Sequence, residues 1–396
     1  MFALYACTGT VPHKPEEEKP AAAAVVTEQP AAKQPSAEEI VAAPPAVVES
    51  KPLPEPPVLP TETPFPHIAL LLPLQSTVFG PAADAVQQGF MAAINPKRLL
   101  MPVRVYSNFD ENSGVVAIYR QAIANGARAV VGPLTRNGVN ALAALQDIPV
   151  PTLALNIVEG QPGKQLYFFG MSVEAEARQD AQLAKQQGMH QAIIITTHSQ
   201  LSQRMQAAFE EEWSGPGRGI LREIEFIDDP SVFADIADIS DTMVFLAADA
   251  EKARLIRPYL SNKLPIYATS QIFAGNDKTL TNYDLNGIHF VDMPWLLQPD
   301  HAAVMIYPRA SPPLSIDRER LYALGIDSFR LIQLLLTNRV SSAMPLDGVT
   351  GQIDLVGHTF QRTPIPAVFV QGRAQLPNAP ATPSPQIFPD RNNSVP

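Results

Sequence analysis

The 396-residue sequence contains one cysteine, Cys7, and no long hydrophobic run. A single thiol excludes an internal disulfide, and the common zinc patterns are absent because there is no Cys-x-x-Cys pair or spaced His/Cys set. No stretch of about 18 consecutive apolar residues occurs, so we predict no transmembrane helix. Basic residues are also scarce, with 29 Lys and Arg against 39 Asp and Glu and a net charge of −10. Because binding of nucleic-acid phosphates requires clustered Lys and Arg, we expect no nucleic-acid partner.

Sequence patterns of the common enzyme classes are missing as well. The sequence has no Ser-x-x-Lys pair of the kind that acylates in penicillin-binding transpeptidases, and no Gly-x-Ser-x-Gly elbow. It also lacks a complete Gly-x-x-x-x-Gly-Lys loop for phosphate. The acidic pair Asp228-Asp229 precedes Pro230, which is typical of a turn. We therefore predict a protein that is not an enzyme and that uses neither a metal nor a cofactor.

The position of Cys7 is typical of a bacterial lipoprotein. The cysteine follows a short apolar stretch that ends in the small residue Ala6, so we predict that residues 1–7 are the remnant of a signal peptide and that Cys7 is acylated. More than one acyl chain gives a lasting membrane anchor. Thr8 follows the cysteine, and the absence of aspartate there resembles lipoproteins sorted to the outer membrane. The alternative is an unmodified thiol at a frayed terminus.

Residues 8–66 are rich in proline and alanine and show no apolar periodicity. They contain four lysines against nine glutamates, which accounts for half of the net negative charge. Proline fixes φ and removes hydrogen-bond donors, so we predict an extended, disordered tether. At full extension it would reach on the order of 180 Å. Residues 374–396 have a similar composition, and we predict a disordered tail there.

From residue 67 the sequence alternates apolar runs with helical patterns, which predicts an α/β fold with parallel sheets flanked by helices. Two such series follow each other within 67–373, more than one core usually holds. We therefore predict two lobes with a cleft between them. We assign about 67–171 and 290–339 to the first lobe. The second takes about 172–289 and 340–373, and includes two closing strands near 351–355 and 367–370.

Ligands of doubly wound sheets bind beyond the carboxyl ends of the strands. This rule selects five polar residues as candidates for the cleft wall: Gln75, Ser76, Thr135, Arg136 and Asn156. Thr135 also fits a simple helix cap, and Arg136 also fits a solvated helix residue. Our hypothesis is that the cleft is vestigial or is filled by the protein itself. Trp295 either packs a hinge between the lobes or anchors a partner interface, where tryptophan is frequent.

Several stretches of the folded part resemble the LppC/LpoA family of lipoproteins, which has a type I periplasmic-binding-protein fold. The matching residues are 67–74, Gly89-Phe90, 131–134, 292–297, 321–327 and 348–351. The last three stretches together are the specific ones. Longer members of the family carry a helical-repeat domain before this module, whereas here the proline-rich tether stands in its place.

The resemblance implies a regulator of peptidoglycan synthesis at the periplasmic face of the outer membrane. Its partner would be a class A penicillin-binding protein, whose peptide cross-linking it stimulates, and the tether would cross the peptidoglycan. The alternative is a solute-binding lipoprotein that serves an ABC transporter for amino acids or small peptides. A hydrolase with an unrecognised site is a third interpretation. The long tether favours the regulator, because a synthase in the inner membrane has to be reached across the envelope.

Overall fold

Two β-sheets, each flanked by helices, organise the chain in its computed structural model. The structure describes residues 64–94, 101–107, 114–160, 162–234, 236 and 239–377. Cys7, the predicted tether as far as residue 63, and residues 378–396 lie outside this part of the chain.

The strands and helices have the following bounds. The strands are β1 (His67–Leu72), β2 (Val103–Ser107), β3 (Ala127–Val131), β4 (Thr152–Ala154), β5 (Leu166–Phe169), β6 (Gln191–Thr197), β7 (Gly219–Phe226), β8 (Thr242–Ala247), β9 (Ile266–Ala268), β10 (Ile288–Asp292), β11 (Leu346–Asp347), β12 (Gln352–Val356), β13 (Thr359–Thr363), β14 (Ile365–Val370) and β15 (Arg373–Gln375). The helices are α1 (Gly80–Ala92), α2 (Val115–Ala124), α3 (Arg136–Ala143), α4 (Val173–Gln186), α5 (Gln200–Trp213), α6 (Ala250–Ile256), α7 (Thr279–Asn282), α8 (Pro294–Leu297), α9 (Ala302–Met305), α10 (Ile316–Leu336) and α11 (Val340–Ala343).

The two sheets define the two lobes. The strand order of the first sheet is β11-β12-β13-β5-β4-β3-β1-β2, and that of the second sheet is β15-β14-β10-β9-β8-β6-β7. Pairing is parallel from β13 to β2 in the first sheet and from β10 to β7 in the second. The remaining pairs, at one edge of each sheet, are antiparallel. The predicted two-lobed α/β fold is thus confirmed.

The first strand shows why its sequence is a continuous apolar run. All six residues of β1 are buried, because layers of side chains cover both faces of the first sheet. Ile68, Leu70 and Leu72 pack into the core on one face of the sheet. Ala69 and Leu71 alternate with them and pack into the core on the other face.

The predicted division of the chain between the lobes is wrong in its last part. Strands β11 to β13, within 346–363, belong to the first sheet and not to the second lobe. They return there because Thr359 and Phe360 of β13 pair in parallel with Phe168 and Phe169 of β5. Conversely, β10 belongs to the second sheet, where it pairs antiparallel with β14. The chain therefore crosses between the lobes three times: from β5 to α4, after β10, and from β13 to β14.

Helices α1 and α10 cross in very close contact in the first lobe. A Cβ atom on Gly89 would stand 1.8 Å from the carbonyl oxygen of Tyr322, and one on Gly325 would stand 2.1 Å from that of Val86. Any larger side chain at these two positions would therefore collide with backbone. Both glycines lie in the stretches that resemble the LppC/LpoA family. The close crossing of the two helices explains why glycine occupies these positions.

Both predicted ends of the folded module shift slightly. The backbone N–H of Phe65 donates a hydrogen bond to the carbonyl of Asn125, so the folded module includes a residue assigned to the tether. Residues 373–375 form β15, which pairs antiparallel with β14. The predicted tail therefore cannot begin at 374, and its part beyond residue 377 lies outside the described residues.

Asp180 of α4 is an unusual member of the second lobe's core. Its side chain is fully buried, and neither carboxylate oxygen has a hydrogen-bond partner among the described residues. Burial raises the pKa of Asp180 well above its ordinary value, and the negative charge of Glu176 adds to this shift. Burial also raises the pKa of the neighbouring Tyr267 to about 12, with a smaller contribution from the charge of Asp180. Burial thus favours the neutral, protonated form of Asp180 in the folded protein.

Replacing Asp180 with asparagine is expected to change how stability depends on pH. Above an unfolded-state pKa of about 3.9, the unfolded wild-type chain ionises Asp180 while the folded chain does not. The free energy of unfolding attributable to this residue therefore falls by about 1.4 kcal/mol per pH unit until the raised folded-state pKa is reached. Asparagine does not titrate. The free energy of unfolding of Asp180→Asn, relative to that of the wild type, should therefore rise by this amount per pH unit over the same range.

Urea denaturation at a series of pH values from about 4 upward measures this difference. Asp284 is exposed, so Asp284→Asn is the matched control and should follow the wild-type curve. Equal pH dependence of the wild type and Asp180→Asn would contradict the prediction.

Candidate functional site

A cleft between the lobes lies beyond the carboxyl ends of β3, β4 and β5 and holds two adjoining cavities. The polar cavity, of about 550 Å³, is lined by residues of both lobes, including three arginines. The apolar cavity, of about 490 Å³, is lined chiefly by leucines of the first lobe together with Phe79. Arg136, Asn156 and Met171 line both cavities. This is where the strand order predicted a ligand site.

The structure brings three of the five predicted cleft residues together. Thr135, Arg136 and Asn156 line the apolar cavity, and the last two also line the polar one. Thr135 is the N-cap of α3, since its hydroxyl accepts a hydrogen bond from the backbone N–H of Gly138 at 3.2 Å. The amide of Asn156 donates to the carbonyl of Leu134 at 3.2 Å, which ties the ends of two strands together.

Gln75 and Ser76 have local roles instead. Neither residue lines the two cavities. The hydroxyl of Ser76 accepts a hydrogen bond from the backbone N–H of Phe79 at 3.1 Å, and the carbonyl of Ser76 accepts one from Gly80 at 2.8 Å. Ser76 therefore shapes the turn into α1, and Gln75 is exposed beside it.

The second-lobe wall of the polar cavity escaped the sequence analysis. It consists of Ser172, Glu174 and Arg178 at the start of α4, together with Arg204 of α5. Ser172 is the N-cap of α4 and accepts a hydrogen bond from the backbone N–H of Ala175. Strand β5, which delivers the chain to this position, was not predicted. Recognising it would have placed the start of α4 at the cleft by the same rule that selected Asn156.

A buried polar network joins the lobes behind the cleft. Glu176 of α4 and Arg362 of β13 form an ion pair at 2.5 Å, with side chains only 4% and 5% exposed. Ser270 donates to the same carboxylate twice, from its backbone N–H at 3.1 Å and from its hydroxyl at 2.7 Å. The pair therefore connects the two sheets where the chain crosses from one to the other.

Arg320 near the start of α10 extends this network. Its guanidinium forms a buried ion pair with Asp292 at 2.7 Å. It also donates to the carbonyls of Ser270 and Phe273 at 3.0 and 2.9 Å. Burial opposes the charge of Arg320, but the carboxylates of Asp292, Glu176 and Asp317 together outweigh burial, so the pKa of Arg320 is raised and the guanidinium stays charged. One side chain thus fixes the first lobe's long helix to the second lobe.

Trp295 lies in the same junction and is fully buried. Its indole N–H donates to Glu319 at 2.6 Å, and the guanidinium of Arg309 lies 3.8 Å from the ring centroid. Tyr322 packs against the ring with centroids 5.5 Å apart. A side chain without exposed surface offers no anchor to a partner, so this geometry supports hinge packing over the interface role.

The three specific family-like stretches meet at this junction. Asp327 accepts hydrogen bonds from the backbone N–H groups of Val349 and Thr350 and from the Thr350 hydroxyl, at 3.2, 2.8 and 2.7 Å. The carbonyl of Val349 in turn accepts from the backbone N–H of Trp295 at 2.9 Å. These stretches are therefore joined by hydrogen bonds at the junction, although they are far apart in sequence.

Comparison with known families agrees with this architecture. A model of the family described as "LppC putative lipoprotein" matches residues 59–241 and 235–360. The chain belongs to the LppC family. The match covers the first sheet, most of the second and most of the buried polar network that joins them.

Curated relatives of this LppC chain are named after one activity. The "Penicillin-binding protein activator LpoA" of Photobacterium profundum is 27% identical over 329 residues, which cover 73% of this chain and 53% of the relative. The chain thus spans about half the length of the curated relatives that it matches.

Two solved structures show the fold of the LppC module. The "LpoA (YraM) C-domain from Haemophilus influenzae, a regulator of PBP1A" is 25% identical, with a TM-score of 0.66, and the match covers 78% of this chain and 99% of that domain. A chain from Chromobacterium violaceum ATCC 12472, described as a "putative branched-chain amino acid ABC transporter", is 36% identical, with a TM-score of 0.65. That match covers 76% of this chain and 99% of the other.

Two further features bear on the kind of site that this LppC chain holds. Within the described ranges, His, Cys, Asp and Glu side chains form no group of three that could hold a metal ion. Among the same residues, no helix has the length and apolar character needed to cross a membrane.

Proposed function

We propose that this chain is a lipid-anchored regulator of peptidoglycan synthesis that binds and stimulates a bifunctional, class A penicillin-binding protein. The observation that carries the proposal is the match to nearly the whole of a domain described as a regulator of PBP1A. The chain would act as a binding partner and not as a catalyst. To stimulate, it must bind the active conformation of the synthase more tightly than the inactive one.

The unusual amino-terminal segment fits this function. Acyl chains on Cys7 would hold the protein at the periplasmic face of the outer membrane, and residues 8–66 would carry the folded module through the peptidoglycan toward the inner membrane. Extended proline-rich chain gains about 3.1 Å per residue, so a segment of this length would give the folded module reach across the envelope.

Adding the purified chain to a class A synthase is expected to raise the fraction of cross-linked peptides in the product several-fold. The full chain with Cys7→Ser is used, so that it is soluble without its lipid. The measurements are co-purification with the synthase and analysis of the muropeptides released from its product. The peptide 8–63 alone is the control and should have no effect, because activation is assigned to the folded module. No binding and no change in cross-linking would contradict the proposal.

A second candidate, a solute-binding lipoprotein for an ABC transporter, is favoured by one observation. The chain is more similar in sequence to the Chromobacterium violaceum protein than to the LpoA domain, at 36% against 25% identity. Calorimetry with leucine, isoleucine and valine distinguishes the two. Saturable binding of one of these amino acids, without an effect on the synthase, would support the second candidate and remove the first.

A further inference from the structure

The polar cavity of the cleft contains a carboxylate that belongs to the protein. Glu174 lies in the first turn of α4, and its side chain is only 19% exposed. Its carboxylate faces the arginines that line the same cavity. The hydroxyl of Ser172, the N-cap of the helix, donates to the second carboxylate oxygen at 2.9 Å.

Arginines from both lobes converge on this carboxylate. Arg204 of the second lobe donates to Oε1 of Glu174 from Nε at 2.8 Å and from Nη2 at 2.5 Å. Arg136 of the first lobe places its Nη2 at 3.7 Å from the same oxygen. Charge-assisted contacts of this kind are how proteins bind the carboxylate of a ligand. Glu174 thus receives the contacts that an external anion in the cleft would receive.

The ionised form of Glu174 is the one that the site favours. Burial opposes the ionisation of Glu174. Hydrogen bonds from its own backbone N–H, from Arg204 and from Ser172, together with the positive charge of Arg204, outweigh burial, so the pKa of Glu174 is lowered. The third arginine of the cavity, Arg178, is paired with Glu211 at 2.7 Å. Arg136 and Arg204 therefore share Glu174 as their common anion.

We propose that Glu174 is an internal ligand of the cleft, which occupies the site of a small carboxylate between Arg136 and Arg204 and so keeps external carboxylates out. The cleft then has the arginines needed to bind a small anion. In the wild-type chain, however, the carboxylate of Glu174 already occupies the position of that anion. Such an internal ligand is a property of the cleft alone, and it does not depend on the regulatory function proposed above.

Removing the charge of Glu174 is expected to open the site. Glu174→Gln leaves two arginines facing the cavity without their carboxylate, so succinate should bind at least tenfold more tightly to this variant than to the wild type. Isothermal titration calorimetry on the full chain with succinate measures the affinity, and succinamide, which has the same shape without charge, should not bind. Glu174→Gln combined with Arg204→Gln should lose the gained affinity.

Glu212→Gln is the matched control for net charge. Glu212 is a partly buried carboxylate of α5 in the same lobe, and it pairs with Lys185, which does not line the cavity. This variant should bind succinate no better than the wild type. Glu174→Ala is a second test in case Glu174→Gln does not fold, and it should bind succinate at least as well.

Three outcomes would overturn the proposal. The first is equal affinity of the wild type and both folded Glu174 variants for succinate. The second is a gain for Glu212→Gln as large as that for Glu174→Gln. The third is retention of the gain when Arg204 is also replaced, since the anion would then be bound elsewhere.

Discussion

Gly89→Ala is expected to lower the free energy of unfolding by about 3 kcal/mol, the upper end of the usual range for overpacking that shifts backbone. The new methyl group would lie 1.8 Å from the carbonyl oxygen of Tyr322. A rotamer change cannot relieve this contact, since both atoms are fixed by helix backbone. The helices α1 and α10 would have to separate and lose part of the first lobe's core. Urea denaturation followed by circular dichroism measures the loss.

Gly163→Ala is the matched control for this substitution. Gly163 has no positive φ, and the nearest atom to an added Cβ would be Cγ1 of Ile148 at 3.7 Å, an ordinary contact distance. We expect a change within about 0.5 kcal/mol at this position. Similar stabilities of the two variants would show that α1 and α10 do not cross as closely as described.

Arg320→Gln is expected to destabilise the protein by about 3–5 kcal/mol, the usual effect of removing one partner of a buried ion pair. The guanidinium and the carboxylate of Asp292 are 7% and 1% exposed, so water cannot replace the lost partner. The carbonyls of Ser270 and Phe273 lose a donor at the same time. Because these contacts join the lobes, unfolding should also become less cooperative.

Arg178→Gln serves as the comparison for an exposed pair. Arg178 and Glu211 are 40% and 70% exposed, and such surface pairs contribute about 0–1 kcal/mol. The double variant Arg320→Gln/Asp292→Asn should recover part of the stability, because no unpaired carboxylate is left in the interior. Equal effects of Arg320→Gln and Arg178→Gln in urea denaturation would contradict the role assigned to the buried pair.

Strands and helices with strong apolar patterns could be predicted from the sequence. The apolar run 68–72 lies within β1, and the buried apolar residues of α5 recur at helical spacing, as the alternation of apolar runs and helical patterns predicted. Strands β7 and β13 were missed for an identifiable reason. Arg222, Glu223 and Glu225 interrupt the apolar pattern of β7, which is an edge strand. In β13, only Phe360 is both apolar and buried.

The cleft was predictable only in part. The rule that ligands bind beyond strand ends selected Thr135, Arg136 and Asn156, because their strands were recognised. Glu174 was missed because β5, which leads into α4, was not recognised, and Arg204 because it reaches the cleft through the packing of α5 against α4 and the second sheet. The lobe assignment was wrong because the pairing of β13 with β5 is not encoded in local periodicity.

Strand β5 pairs with β4 on one side, but it acquires its second parallel neighbour only when Thr359 of β13 pairs with Phe168, almost 200 positions earlier in the chain. The ribosome must therefore synthesise nearly all of residues 64–377 before the first sheet can be completed. Until then β5 is an open edge, whose free N–H and C=O groups readily pair with other extended chains. The incomplete polypeptide is therefore open to edge-to-edge aggregation at β5, and the arrival of β13 removes that edge.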